Sequence, residues 1–453
     1  MALPKRFPGR REIAAVRAEA DRLAPGEESD RATRIAGRVM ARRDLGKLMF
    51  LDLVDRSGRI QLILEPVDVD LGDVVGADGV PAKSRRGEPS LRVRDLELLA
   101  KIRRPLPDTF HGVQDTETRY RQRHLDLLVN EETRRDTLLR SRIVTSIRRY
   151  LDEEGFVEVE TPVLQPRYGG AFARPFVTRY EALDRDYYLR IATELYLKRL
   201  VVGGLEKVYE LGKDFRNEGV SYKHNPEFTM LEWYEAYADY TDTMARIEEL
   251  LERVATETTG TTRTTFRGHR VDLARPWRRL RLVDALEEHG LWDRDEAELR
   301  RRLEERGVET TADSTWSQLV DHALTAYVEP RLIEPTILHD YPIELSPFAR
   351  STDDDPTIVE RFEYFVGGME LGNAFTEIND PDEQAERFAM QTEEGAGGNV
   401  EAEPGDPDYV EALAYGMPPT GGLGLGIDRL AMVLTGRETI RDVILFPTLR
   451  PRA

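Results

Sequence analysis

Residues 215–240 read FRNEGVSYKHNPEFTMLEWYEAYADY and bring Arg216, Glu218, His224, Asn225, Phe228 and Glu232 into one short segment. These residue types suit a site that holds ATP bent for attack at its α-phosphate. An arginine neutralises charge developing on the phosphate, an aromatic ring stacks on adenine, and a polar neighbour fixes the adenine edge. A charged hairpin with a solvated face is the alternative, and a lone Phe-Arg-x-Glu would favour it. The length of this run of useful side chains weighs against that alternative.

The chain that must position them has 453 residues, enough for two or three domains with real cores. It has no cysteine, which excludes disulfides, a thiolate zinc site and a cysteine nucleophile. No apolar run approaches 20 residues, and Met1–Arg22 carries charges throughout rather than a signal pattern. A cytoplasmic protein with no membrane partner is expected. The net charge is −19, but residues 1–112 carry 22 Lys+Arg against 18 Asp+Glu, and the remaining 341 residues 43 against 66. Such asymmetry fits one module that meets a polyanion and a body that repels it elsewhere.

Residues 11–23 predict a short amphipathic helix, with Ile13, Val16 and Ala20 on one face and Pro25-Gly26 ending it. From Arg34 to about Pro105, five short runs rich in Val, Ile and Leu predict strands, and a small Greek-key barrel such as an OB-fold. Residues 105–112 (PLPDTFHG) form a Pro-rich connector, which places a boundary between an N-terminal module 1–112 and a body 113–453. The body opens on a helix from Thr137 to Gly155, followed by a strand that Pro162 interrupts. Strand-rich stretches follow around 174–190 and 206–234, and 244–257 and 296–306 look helical. Gln391–Pro407 is expected to be a mobile surface loop. GGLGLG, at 421–426, is expected to be a glycine-rich turn entering an apolar helix.

Over nearly its whole length the chain resembles the class II lysyl-tRNA synthetases. Motif 1 of that class is similar to Ile143–Val163, motif 2 to Val208–Tyr240 and motif 3 to Gly421–Leu434, centred on Gly426-Ile427-Asp428-Arg429. TRYRQRHLDLL, GGAFARPF, ELYLKRLVVGG, MELGNAFTEIND and IRDVILFPTLRP extend the match. The resemblance implies an α+β fold. An antiparallel-sheet class II synthetase catalytic domain (113–453, with a partly helical insertion at about 250–330) follows an N-terminal helix plus OB-fold anticodon-binding domain (1–112). GLGLG would then be no dinucleotide fingerprint. A homodimer with motif 1 in its interface is implied as well.

The implied reaction is activation of L-lysine by ATP to lysyl-adenylate, then transfer to the 3′ end of tRNA(Lys). A buried ammonium group needs paired carboxylates. By the resemblance, Glu194 and Glu377 supply them at the side-chain ammonium, near Tyr234, and Glu232 holds the α-amino group. Asn373 and Phe375 line the pocket, and Gly170 lets the substrate backbone approach. Arg216 and Arg429 are the implied catalytic residues, flanking the phosphates. Phe228 is expected to stack on adenine opposite Arg429, with Glu218, His224 and Asn225 close by. Glu363 and Glu370 match the family's Mg²⁺ carboxylates, hard oxygen ligands of the type magnesium prefers. Arg43, Phe50, Gln61 and Glu88 match positions that read anticodon bases by stacking and edge contacts.

The chain departs from the family's pattern at several points. Thr193 stands where a proline usually precedes Glu194. Ala374 and Thr376 replace a glycine and a serine, His124 a tyrosine and Ala414 a glutamate. The barrel is shorter than usual between Glu65 and Gly72. Rival readings are a paralogue that lysylates a protein or small molecule, and a non-catalytic RNA-binding regulator. The N-terminal barrel weighs against the first, and the full set Arg216, Glu218, Glu363, Glu370 and Arg429 against the second.

Overall fold

The computed structural model describes residues 3–108, 112–171, 173–311, 314–346, 348–396 and 405–451. Contacts divide the chain into two units, Met1–Glu131 and Glu132–Ala453.

In the first unit, β1 (Thr33–Leu45), β2 (Leu48–Val54), β3 (Arg59–Leu64), β4 (Val74–Lys83) and β5 (Pro89–Ala100) close a barrel in the order β1-β2-β3-β5-β4. The two-residue period of a strand decides which side chains fill it. Met49, Leu51 and Leu53 point inward, so Phe50 and Asp52 point out. The helix Ile13–Asp21 adds Ile13 and Val16 to the same core. The short connection after β3 leaves the barrel closed because Asp73, buried at its end, ties it down. Asp73 accepts from the backbone N–H of Asp70 at 2.7 Å and of Ile102 at 2.8 Å, and pairs with Lys101.

The second unit is built on an eight-stranded sheet. Its strands come from β6 (Val157–Glu158), β10 (Lys207–Phe215), β11 (Glu227–Ala236), β14 (Arg278–Arg281), β15 (Thr336–Pro342), β16 (Ile358–Val366), β17 (Met369–Thr376) and β18 (Thr420–Gly426). Among the described residues the order is β14-β15-β16-β17-β18-β11-β10-β6. The six central strands pair antiparallel, and the two edge strands β6 and β14 pair parallel. A separate three-stranded sheet holds β7 (Leu164–Gln165), β9 (Arg185–Leu189) and β8 (Phe176–Tyr180), and β12 (Arg263–Phe266) pairs with β13 (His269–Asp272).

One sheet face is covered by the helices Glu131–Glu153, Tyr240–Thr259 and Ile427–Thr435. Ile143, Ile147, Tyr150 and Leu151 recur at helical spacing and bury against Leu231 and Trp233 of β11. Residues on the alternate side of β11 face the other way, and that side carries the site.

Three expectations are corrected. GGLGLG is a central strand, β18, not a turn, because Leu423 and Leu425 anchor it in the core. The helix expected from Thr137 starts at Glu131, since its first turns are held by ion pairs of Glu132 and Asp136 with Arg437 rather than by an apolar face. The helix Pro381–Ala396 runs through the first residues of the loop expected from Gln391, and Phe388 packs edge-on to Phe348 and Tyr409. Residues 397–404 of that loop lie outside the described residues, as do 109–111 of the connector and Phe172 of GGAFARPF.

Trp233 is fully buried beneath the helices. Replacing it with alanine is expected to cost about 3–5 kcal/mol of unfolding free energy, read as a lowered urea midpoint in equilibrium denaturation.

Candidate active site

The site is built across β17, β18 and β11, and the glycines of β18 make room for it. Register places Gly424 between Asn373 and Glu232, and Gly422 between Phe375 and Tyr234. The central strand therefore presents no side chain on the cavity side, and its two neighbours supply the walls. A Cβ on Gly422 would overlap Glu377 Oε1 and lie 2.6 Å from Tyr234 Cε1.

Two cavities adjoin along this floor and share Arg216, Met230, Asn373 and Gly424. The first brings together Arg216, Glu218, His224, Asn225, Phe228, Glu370 and Arg429. The Arg216 guanidinium lies 5.2 Å from the Phe228 ring centroid. Arg429 Nη1 donates to Glu370 Oε2 at 2.8 Å and to the Glu370 carbonyl at 2.9 Å. Burial pushes the Glu370 carboxyl up, but Arg429, joined by Lys223 and Arg361, holds the group below its ordinary range. The Asn225 amide is committed to backbone: it donates to the Glu227 carbonyl at 2.6 Å and accepts from Thr448 N–H at 3.2 Å. Its place in the wall is thus structural as well as local. Burial, with Arg429 and Lys223 adding repulsion, lowers His224 to about 4.

Glu363 sits on β16 outside the lining of both cavities. It accepts from Arg361 Nη2 at 2.7 Å. Burial pushes it up to about 7, with Glu370 adding to the rise against the pull of Arg361. The two carboxylates thus feel one another across adjacent strands. Among the described residues no cluster of three or more His, Cys, Asp or Glu side chains could hold a metal.

The second cavity brings together Gly170, Glu194, Glu232, Tyr234, Asn373, Phe375 and Glu377. Gly170 has φ +86°, and a Cβ there would press on Glu194 Cβ at 3.0 Å. Burial, with Asp214 and Glu194 nearby, raises Glu232 to about 8. Its Oε1 accepts from the Thr193 N–H at 3.3 Å. A proline at 193 has no N–H to give, so this departure adds a contact to the site.

The sequence analysis assigns Glu194 and Glu377 to a ligand's ammonium, and the structure adds an internal ammonium beside both. Lys198 Nζ lies 2.6 Å from Glu194 Oε1 and also pairs with Glu377 Oε2. The Glu194–Lys198 spacing of four on a helix could have disclosed half of this contact. Glu377 lies far away in sequence. Two further buried groups went unread. Arg190 binds Glu210 at 2.5 Å and Asp214 at 3.1 Å beneath the floor of β10. Asp428 accepts from Arg140 at 2.6 Å and from Thr229 N–H at 2.8 Å, fixing the segment that carries Phe228 and Arg429.

On the barrel, register sets Arg43 opposite Phe50 and Asp52 opposite Gln61 on the outer face of β1–β3. Arg43 and Arg59 each lie 3.7 Å from Asp52. Gln61 is largely covered and accepts from Ser90 Oγ at 3.2 Å, while Glu88 lies exposed near Arg17.

Residues 115–450 match the family described as tRNA synthetases class II (D, K and N), and residues 33–99 match the OB-fold nucleic acid binding domain. The chain is similar to the lysine–tRNA ligase of Carboxydothermus hydrogenoformans, 49% identical over 438 residues, covering 93% of this chain and 90% of the relative. It is 50% identical over 433 residues to that of Moorella thermoacetica, covering 92% and 88%. It is 48% identical over 441 residues to that of Staphylococcus aureus strain MRSA252, covering 94% and 89%.

A His224 pKa near 4 keeps the ring neutral above about pH 5. Its imidazole NMR resonance is therefore expected to stay constant from pH 8 to 5.5, identified by its loss in His224→Gln. A midpoint near 6.5 would contradict the burial described.

Proposed function

The chain belongs to the class II tRNA synthetases and, within them, to the lysine–tRNA ligases, and from that premise we propose that it activates L-lysine with ATP to lysyl-adenylate, releasing pyrophosphate, and passes the lysyl group to the 3′ end of tRNA(Lys), releasing AMP. The observation that carries the reading is the junction of two cavities. One is lined by the carboxylates Glu194, Glu232 and Glu377, and it opens onto one lined by Arg216, Phe228 and Arg429.

Lysine enters the acidic cavity. Glu377 and Glu194, beside Tyr234, take its side-chain ammonium, and Glu232 takes the α-ammonium, while Gly170 leaves space for the substrate backbone. Asn373 and Phe375 complete the walls. This places the lysine carboxylate at the shared boundary beside Arg216, where it attacks the α-phosphorus in line. The carboxylate is already ionised, so the step needs no side-chain base, and catalysis is positioning plus charge neutralisation. Arg216 and Arg429 neutralise the phosphates. Phe228 stacks on adenine, with Glu218, His224 and Asn225 around its edge. His224 stays neutral and accommodates a neutral base.

Glu363 and Glu370 fit magnesium. They are hard oxygen donors on adjacent strands, close enough to perturb one another, and two carboxylates leave coordination positions for phosphate oxygens and water. Bound there, magnesium would supply countercharge to the pyrophosphate. Arg429 and Arg361 hold the same two carboxylates in place. The chain works as a homodimer in the cytoplasm. Exposed Val163, Leu164, Val177 and Leu183 offer the apolar surface such an interface buries. Among the described residues no helix is long and apolar enough to cross a membrane.

The decisive assay measures lysine-dependent ATP–pyrophosphate exchange and the charging of tRNA(Lys). Both are expected. Exchange without charging would favour lysylation of another acceptor, and neither would favour a non-catalytic role. Glu377→Gln is expected to lower lysine-dependent exchange by on the order of a hundredfold while nucleotide binding persists. Exchange within a few fold of wild type would remove Glu377 from the pocket.

The outer face of the barrel supplies anticodon recognition, with Phe50 for stacking and Arg43, Gln61 and Glu88 for edge contacts. Phe50→Ala and Arg43→Ala are expected to raise the tRNA KM roughly tenfold, since stacking is worth ~1–3 kcal/mol per base, with lysine-dependent exchange unchanged. An unchanged tRNA KM in both variants would show that this face does not read the anticodon.

A further inference from the structure

Lys198 has no part in the reaction described above, yet it contacts two of the carboxylates that line the substrate pocket. Its side chain is fully buried. Its ammonium contacts Glu194 Oε1 and Glu377 Oε2. Four rings surround it, with centroids at 5.0 Å (Phe348), 5.4 Å (Phe375) and 5.9 Å (Tyr234 and Tyr409). Glu194 and Glu377 line the cavity, but Lys198 does not. The ammonium therefore reaches both carboxylates from the side away from the ligand. Both Glu377 oxygens are buried without a hydrogen-bond partner among the described residues; Oε2 forms the ion pair with Lys198, and Oε1 packs beside Gly422, which lines the cavity.

Resting on the lysine-activating reading above, we infer that Lys198 is a positioning residue for substrate lysine: its ammonium orients Glu194 and Glu377 from behind and offsets their mutual repulsion, so that the Oε1 side of Glu377 is left for the substrate ammonium. The physical reason is desolvation. Buried carboxylates without a cation take up protons, and a protonated pair holds an ammonium poorly. Burial pushes Glu194 and Glu377 above their ordinary range, Glu377 well above it, and Lys198 opposes the rise in both. Burial also opposes charge on Lys198, and the two glutamates outweigh it. The other groups facing this cluster are Glu232 and Tyr234 on β11, Tyr409 on the helix Pro407–Leu413, and Arg361 on β16. Glu232 and the tyrosines supply no cation, and Arg361 is committed to Glu363 and the Leu345–Ser346 turn.

The test is the pH dependence of the lysine KM in ATP–pyrophosphate exchange from pH 6 to 8.5, for wild type, Lys198→Met and Lys198→Arg. Without Lys198 the upward push of burial on both carboxyls is less opposed, so attraction for the substrate is expected to weaken toward low pH and return as pH rises. Lys198→Met is expected to raise the lysine KM at least tenfold at pH 7 and to recover toward wild type by pH 8.5, with kcat and the ATP KM within threefold. Lys198→Arg keeps the charge and is expected to keep the wild-type profile shape. A Lys198→Met KM within twofold of wild type, or raised by one constant factor at every pH, overturns the inference. So does an arginine variant whose profile moves with that of the methionine variant.

Should the variants not fold, wild-type protein labelled with ¹⁵N at lysine Nζ decides. The chain has eight lysines. One protected ammonium signal that moves on addition of unlabelled lysine is expected, and its absence overturns the inference. Loss of all lysine-dependent exchange in wild type would instead defeat the functional reading itself.

Discussion

Three carboxylates buried around one small cavity are the constraint that the rest of the catalytic unit answers to. Glu194, Glu232 and Glu377 would each prefer water, and crowding them raises the cost of their charge. The fold meets that cost with one internal ammonium, Lys198, ringed by aromatics, and with a backbone N–H from Thr193. It leaves a deficit of positive charge on the cavity side. A diammonium ligand completes such a site, and an acidic amino acid would meet repulsion there. On the proposed reading, selectivity arises from an unbalanced pocket rather than from shape alone.

Rigidity beneath the pocket comes from the sheet. Glycines on the central strand β18 let the side chains of β11 and β17 converge over it, while Leu423 and Leu425 of the same strand lock it into the helical layer. At the phosphate end, the ion pairs Arg429–Glu370 and Arg140–Asp428 hold their groups in place before any ligand arrives. Such preorganisation lowers the reorganisation required when charge develops on the phosphates. The barrel is a separate solution to a separate problem. Its excess of positive charge and its outward Phe50 and Arg43 suit a nucleic-acid partner, against the strongly acidic body.

Much of this was legible in the chain. Short runs rich in Val, Ile and Leu marked the barrel strands, because each must bury apolar side chains in a small core; LMFLDLV alternates buried and half-covered residues, while its neighbours are buried on both faces. Phe-Arg-x-Glu and its downstream partners marked the phosphate cavity, and the structure brings Arg216, Glu218, His224, Asn225, Phe228, Glu370 and Arg429 to it. The strand character of GLGLG was not legible, since local propensity reads glycine as turn. Only its two leucines, buried by helices from elsewhere, make it a strand.

The sequence by itself determined which side chains are available and on which face of a local element each lies, because helical and strand periods are properties of the backbone. It therefore settled the barrel and the amphipathic helices, while the residues of the two cavities came from the family resemblance, with Glu363 falling outside both. The tertiary structure alone decided how charges pair across distance. Lys198 meets Glu377, Arg140 meets Asp428 and Arg190 meets Asp214 through strand order and helix placement. Whether a buried carboxylate faces a ligand or an internal cation depends on what the fold sets behind it, and no local spacing carries that information.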